Sequence, residues 1–201
     1  MRPSVRRTVL LGATVALSGV LAACSGTSSN TSSGSDGHGM SIGKSSSTAV
    51  ATGRAGDVMF AQMMIPHHQQ AVEMAEIALG KTDVSSEVRA LATAIKQAQD
   101  PEIQTMTGWL QKWGAAAPAS GMAHGGMGTG MMSEADPEAL RRASGKAFDQ
   151  KWVSMMIAHH EAAIAMGRQV LGTTEDGDVK ALADAIIKAQ TEEITKMRAM
   201  S

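Results

Sequence analysis

An internal duplication constrains the fold of this chain more than any other feature. The run MMIPHH at 63–68 returns as MMIAHH at 155–160, with two adjacent histidines in each copy. A second block at 88–106 returns at 179–197, and both of its copies contain the pattern Gln-x-x-Glu-Ile-x-x-Met. Each half of the chain therefore holds two helix-length segments in the same order. The sequence predicts two related helical hairpins.

The apolar residues recur at helical spacing, and no alternating pattern indicates a strand. We expect long helices at about 57–79, 85–113, 146–171 and 176–200, with a short helix at 133–143. Two similar hairpins that each carry one apolar stripe bury those stripes against each other. The predicted fold class is all-α, a ferritin-like four-helix bundle with hairpin one at 57–113, a linker at 114–145 and hairpin two at 146–200.

Two prolines fall inside predicted helices. A proline in a helix interior removes a hydrogen bond and normally kinks or breaks the helix. Pro66 is matched by Ala158 in the second copy, and Asp100-Pro101 by Thr191-Glu192. The uninterrupted second copy favours kinked single helices at both places.

The first residues have the character of an export signal. A basic start is followed by a short apolar run and by Leu21-Ala22-Ala23-Cys24, which resembles a bacterial lipoprotein box. We expect a signal peptide at 1–23, lipidation of Cys24 and a Ser/Gly-rich tether at 24–55. The expected location is the outer face of the cell membrane, reached by either the general or the twin-arginine export route.

Composition excludes several classes of function. Cys24 is the only cysteine, so neither a zinc–cysteine cluster nor a disulfide framework can form. Neither a Gly-rich phosphate loop nor a nucleophile–base arrangement is visible. The full chain has a net charge of −1, and removal of the signal peptide with its arginines makes it more acidic. Nucleic acid is therefore not an expected partner.

The paired histidines fall on the apolar side of their helices. An α-helix turns by about 100° per residue, so His67 lies about 40° and His68 about 140° around the axis from Met63. Met74 and Met64 fall in the same arc. We therefore expect His67 well inside the apolar stripe and His68 near its edge, with the same arrangement in the second copy.

The second helix of each hairpin carries a carboxylate on its apolar stripe. These residues are Glu102, near Gln99, and Glu193, near Gln190. A buried carboxylate needs a paired charge, a hydrogen bond or a metal. Each glutamate can either bind a metal directly or accept the second ring proton of a ligating histidine.

The chain is rich in thioether sulfur, with 16 Met against 2 Phe, 3 Trp and no Tyr. Thioether and imidazole together favour Cu(I), and every histidine lies within four residues of a methionine. The main candidate metal ligands are Met63, Met64, His67, His68, Met155, Met156, His159 and His160. Secondary candidates are Met74, Met166, Met106, Met197, Glu102 and Glu193. Further candidates in the linker are Met122, His124, Met127, Met131 and Met132. A weaker candidate pair, His38 with Met40, lies in the tether.

These motifs resemble a bacterial family, domain of unknown function 305. The resemblance rests on Met-Met-Ile-Pro-His-His, the later Gln-x-x-Glu-Ile-x-x-Met, the Gly-Met-Met-Ser that ends the linker, and the second Met-Ile-x-His-His. It covers about 57–200 and implies an exported, ferritin-like four-helix protein, with some members linked to copper. It implies the same eight main ligands, although Ala158 stands where the family often has proline.

Three functions compete at this stage. The leading one is a lipid-anchored protein that binds or sequesters Cu(I) and exchanges it with a donor or acceptor protein. An alternative is a dinuclear Fe or Mn carboxylate oxidase or peroxidase, although such centres carry Glu-x-x-His on their helices and this chain does not. The third is a metal-free structural lipoprotein in which methionine only fills the core.

Overall fold

The computed structural model describes residues 53–118, 131–133 and 135–200. Its helices are α1 (Arg54–Gly80), α2 (Ser86–Lys112), α3 (Ala135–Arg142), α4 (Gly145–Leu171) and α5 (Gly177–Arg198). The residues described contain no strand. The expected all-α four-helix bundle is confirmed, with α3 as the short additional helix.

Helix boundaries follow local side-chain chemistry. Ser85 caps α2 by accepting a hydrogen bond from the Val88 N–H, and Asp176 caps α5 by accepting from the N–H groups of Asp178 and Val179. Both residues satisfy N–H groups that have no partner within a helix. The short segments between Gly80 and Ser86, and between Leu171 and Gly177, allow each hairpin to turn back on itself.

Both prolines lie within continuous helices. Pro66 is inside α1 and Pro101 is inside α2. The prediction of one helix at each place, and not two, is correct. The register of the apolar stripe is therefore carried across each proline, which keeps residues before and after Pro66 on one face.

Each hairpin packs as a unit, and the two units meet mainly through α1 and α4. The C-terminal half of α1 lies against the N-terminal half of α4, so these two helices run antiparallel. The contact includes a hydrogen bond of 2.9 Å from the Trp152 Nε1–H to the Met74 carbonyl oxygen. A buried indole N–H that finds a partner adds specificity to this interface.

The core consists of two apolar clusters separated by polar side chains. One cluster joins the C-terminal half of α1 to α3 and the N-terminal half of α4, and includes Ile95 of α2. The other joins the N-terminal half of α1 to the C-terminal half of α4, and includes Met106 and Ile186. Between them lie eight side chains that we call the polar layer. Its members are His67, His68, Gln99, Glu102, His159, His160, Gln190 and Glu193.

The end of the linker is part of the packed core. Met132 is buried, and its backbone exchanges hydrogen bonds with the Gln70 side chain on α1. Met132, a candidate ligand from the linker, therefore has a packing role, because its side chain fills the apolar cluster around α3. Met131 beside it is half-buried.

Several predictions fall outside the described residues. They are the signal peptide at 1–23, Cys24 with its lipidation, all but the last three residues of the tether, the pair His38 and Met40, and the linker residues Met122, His124 and Met127. Among the helices described, none combines the length and the apolar character needed to cross a membrane.

Candidate metal centre

All four histidines of the two repeated motifs are buried. His67 and His159 are 1% exposed, and His68 and His160 are 0% exposed. The expectation that His68 would lie near the edge of the stripe is wrong, because the apolar stripe of α1 extends round to Ala61 and Ile65 beyond it. Four imidazoles in the interior of one small domain require a specific reason, since each carries two polar nitrogens.

Adjacent positions let the two histidines of one helix serve different interfaces. Neighbouring side chains on a helix point about 100° apart. His67 therefore faces α4, where it meets His159, whereas His68 faces α2, where it meets Glu102. His160 on α4 makes the equivalent contact with Glu193 on α5.

Two matched His–Glu pairs form the ends of the polar layer. His68 Nε2 lies 2.8 Å from Glu102 Oε2, and His160 Nε2 lies 2.7 Å from Glu193 Oε2. An ionised carboxylate can only accept, so Nε2–H of each ring donates. Each ring then has its Nδ1 directed into the interior, and neither Nδ1 has a hydrogen-bond partner among the described residues. A histidine held by a carboxylate on one nitrogen, with the other nitrogen available, has the arrangement of a metal ligand.

His67 and His159 form the centre of the layer. Their ring centroids are 3.6 Å apart and their planes are inclined by 33°. Burial lowers the pKa of His159 well below its usual range, and the neighbouring His67, His160 and His68 rings lower it further. The His159 ring is therefore neutral near pH 7 and keeps a lone pair that can bind a cation.

Two buried glutamines accompany the glutamates one helical turn earlier. Gln99 has neither a donor nor an acceptor partner for its amide among the described residues, and Oε1 of Gln190 also has none. A partnerless buried polar group costs about 1–3 kcal/mol. The sequence placed Gln99 and Gln190 on the apolar stripes, yet they were not among the candidate site residues. Their spacing of three residues from Glu102 and Glu193 was the signal that could have identified them.

The methionines divide into buried and accessible groups. Met64, Met74, Met106, Met156 and Met197 are fully buried. Met64 and Met156 stand one turn before the histidine pairs, on the same face. Met155 and Met166 are half-buried.

Met63 lies at the margin of the apolar face of α1. It is 41% exposed, because it lies about 90° from the centre of the apolar stripe of α1. Of the adjacent pair, Met64 is the residue that enters the core.

The donor set fits a soft cation better than a hard one. Among the residues described, no group of three or more His, Cys, Asp or Glu side chains is arranged to hold a metal ion. Both glutamates are already bonded to histidines of their own hairpins. A complete coordination shell in this layer would therefore combine imidazole with thioether sulfur, which is a donor set that Cu(I) accepts and that Fe or Mn does not favour.

Fold and site together define a class: a four-helix bundle made of two repeated hairpins, with a His–Glu layer across its apolar core. Residues 57–201 match the model of the family described as domain of unknown function, DUF305. The chain therefore belongs to the DUF305 family, and the resemblance found in its motifs is confirmed.

Solved structures of related proteins have the same fold. CopM in its Cu(I)-bound form is 33% identical, with a TM-score of 0.60, and the match covers 72% of this chain and 94% of CopM. CopM in its Cu(II)-bound form is 36% identical, with a TM-score of 0.63 and the same coverage. A DUF305 protein from Streptomyces coelicolor is 34% identical, with a TM-score of 0.65, and the match covers 72% of this chain and 90% of that protein. No curated protein sequence matches this chain.

Proposed function

We propose that this protein is an extracytoplasmic, lipid-anchored protein that binds and sequesters Cu(I). The observation that carries the proposal is the polar layer, in which four buried histidines from two hairpins meet with buried methionines one turn away. Similarity to CopM, which has been solved with Cu(I) and Cu(II), supports copper as the cation. Lipid attachment rests on the sequence around Cys24.

The energetics of the core favour a ligand-binding role for the layer. The partnerless Nδ1 atoms of His68 and His160, the amide of Gln99 and Oε1 of Gln190 lower the stability of the domain. Apolar side chains of similar volume would pack there at less cost. A metal-free structural protein gains nothing from this arrangement. A cation bound at the Nδ1 atoms of His68 and His160 would give these nitrogens the partners that they lack.

Anaerobic titration with Cu(I) in the presence of a chromophoric chelator tests the proposal. We expect the native protein to retain one to a few Cu(I) against the chelator, with a stoichiometry confirmed by elemental analysis. Replacing His67, His68, His159 and His160 by Gln should remove most of the bound copper. The matched control replaces the two remaining histidines, His38 and His124, and should keep the copper of the bundle.

The quadruple variant must be shown to fold by circular dichroism. An independent measurement on the native protein avoids that requirement: the nitrogen resonances of the histidine rings are followed during titration. We expect Nδ1 of His68 and His160 to shift with added Cu(I). Unchanged resonances, together with unchanged stoichiometry in a folded quadruple variant, would refute copper binding by the layer.

The location is tested separately. We propose that lipid on Cys24 attaches the mature chain to the outer face of the cell membrane, with the Ser/Gly-rich tether between lipid and bundle. Replacing Cys24 by Ser should move the protein from the membrane fraction to the soluble fraction and abolish fatty-acid labelling. Membrane association that survives in Cys24→Ser would contradict lipid anchoring and leave the copper proposal untouched.

We also propose that copper reaches and leaves this protein by exchange with another protein, and that nucleic acid is not a partner. Exchange is testable with a second Cu(I) protein of comparable affinity, separated from this one after mixing. Copper transfer faster than free dissociation would support direct contact. Transfer at the rate of free dissociation would exclude it.

A further inference from the structure

A second group of methionines lies outside the polar layer. A small solvent-open pocket of about 30 Å³ between α1 and α4 is lined by three of them, Met59, Met63 and Met166. Met59 is 36% exposed and Met63 is 41% exposed, and these are the large apolar side chains that are exposed among the described residues. Met59 was not among the candidate ligands from the sequence.

The duplication provides an internal comparison for this pocket. The positions equivalent to Gly56 and Phe60 in the second copy are Phe148 and Trp152, and both aromatic side chains are fully buried. The position equivalent to Met59 is Lys151. The second copy therefore fills with aromatic rings the space that the first copy leaves open, and it places an ammonium group where the first copy has a thioether.

The position equivalent to Met166 follows the same trend. It is Met74, which is completely buried in the core. The first copy thus exposes Met59 and Met63, whereas the equivalent positions in the second copy are Lys151 and the half-buried Met155. The fold does not require methionine to be accessible at the position of Met166, because the equivalent Met74 is packed in the core.

The chemistry of the pocket lining selects the kind of ligand. Besides the methionines, the lining consists of Gly56, Phe60, Gln169, Val170 and Thr173, so it contains no carboxylate, imidazole or cationic group. Met59 and Met63 are four residues apart, which places their side chains side by side on α1, with Cβ atoms about 5–6 Å apart. Met166 adds a third sulfur from the facing helix. Thioether sulfur binds soft monovalent cations such as Cu(I) and Ag(I) and has little affinity for hard ions.

We propose that Met59, Met63 and Met166 form a thioether-only surface site for a soft monovalent cation, separate from the polar layer. The proposal depends on the proposed function only for the identity of the cation as Cu(I). The site is open to solvent, whereas the histidines are buried. Met63 also stands one turn before His67 on α1, so a cation held in the pocket would lie close to the polar layer.

The test uses the full-length protein labelled with ¹³C at the methionine methyl groups and titrated with Ag(I), which is stable in air. The methyl signals are assigned with single Met→Leu variants, since Leu keeps the volume of Met and lacks sulfur. We expect the signals of Met59, Met63 and Met166 to shift together and to saturate with one equivalent of Ag(I). The double variant Met59→Leu/Met63→Leu should lose this equivalent.

Two control variants test whether Ag(I) binding depends on the pocket or only on the number of methionines. Met200→Leu removes a half-buried methionine that follows α5 and packs against the other apolar cluster, and should leave the titration unchanged. Lys151→Met restores a methionine at the position equivalent to Met59, where Phe148 and Trp152 fill the space, and should add no equivalent of Ag(I).

Each outcome separates this inference from the proposed function. Shifts at the ring nitrogens of the polar layer, with no shift at the three methyl groups, would overturn the surface site and leave the proposed function in place. Three signals that saturate at different equivalents, or a titration that survives in the double variant, would also overturn it. No response at either place would contradict both proposals.

Discussion

The hydrogen bond between His68 and Glu102 offers the sharpest test of how the polar layer works. Glu102→Gln keeps the length of the side chain and an acceptor oxygen, but removes the negative charge. The bond is 2.8 Å long, with the His68 side chain fully buried and the Glu102 side chain 18% exposed. A carboxylate on Nε2–H increases the electron density at Nδ1, so its loss makes His68 a poorer ligand.

The expected size of the effect follows from this geometry. Loss of a group that supports a ligating histidine lowers metal affinity by about 10–100-fold, which corresponds to about 1.4–2.7 kcal/mol. The metal-free domain should lose about 1 kcal/mol or less, because Gln still accepts a hydrogen bond and Glu102 is partly solvated. Glu193 holds His160 at 2.7 Å and is 12% exposed, so Glu193→Gln should weaken binding by a similar factor.

Cu(I) affinity is measured for each variant by anaerobic competition with a chelator, and stability by urea unfolding without metal. The matched control is Glu161→Gln, an exposed carboxylate on α4 that bonds Arg198 and does not contact the layer. It should leave the affinity unchanged. If Glu102→Gln and Glu193→Gln also bind Cu(I) like the native protein, the His–Glu pairs do not support metal ligands and the reasoning is refuted.

Two further predictions concern stability. Because the pKa of His159 is lowered by burial and by the neighbouring histidines, the unfolded state binds more protons than the folded state below about pH 6.5. The metal-free domain should therefore lose up to about 1.4 kcal/mol per pH unit through this group as the pH falls from about 6.5 towards the lowered value. In His159→Gln the pH dependence of urea unfolding should be shallower, and an unchanged slope would contradict the assignment. At Gly167 an added Cβ would lie 3.0 Å from Ile187 Cγ1 and 3.2 Å from its Cδ1. Gly167→Ala should therefore destabilise the α4–α5 contact, and the net loss in stability should be up to about 2 kcal/mol once the gain in helix propensity is included. In the control Gly108→Ala the added Cβ meets no atom within 4 Å, so this variant should be about 0.5–1 kcal/mol more stable in the same assay. Equal effects at the two glycines would refute the packing argument.

The repeat and the helical periodicity were sufficient to predict the architecture. Both copies carry the same apolar spacing, so the number of helices, their order and the pairing of hairpins follow from the need to bury two similar stripes. The comparison of Pro66 with Ala158 correctly predicted a single helix, because a proline that interrupts only one copy is tolerated by the common fold. Burial of His67 and His159 followed from the same spacing.

The tertiary structure decided which side chains meet. Periodicity gives an angle around one helix, but the width of the buried face depends on which helices cover it. That is why Met63 is exposed, and why His68 is fully buried between α1 and α2. The pairing of His68 with Glu102, and the contact between the rings of His67 and His159, depend on the approach of separate helices.

By itself, therefore, the sequence determined a duplicated helical bundle with soft ligands along its apolar faces, since those properties depend on local spacing. Only the tertiary structure could divide these ligands into a buried layer and an accessible pocket. The physical reason is that exposure and contact are properties of neighbouring helices. Phe148 and Trp152 fill at one end of the α1–α4 contact the space that Gly56 and Phe60 leave open at the other end.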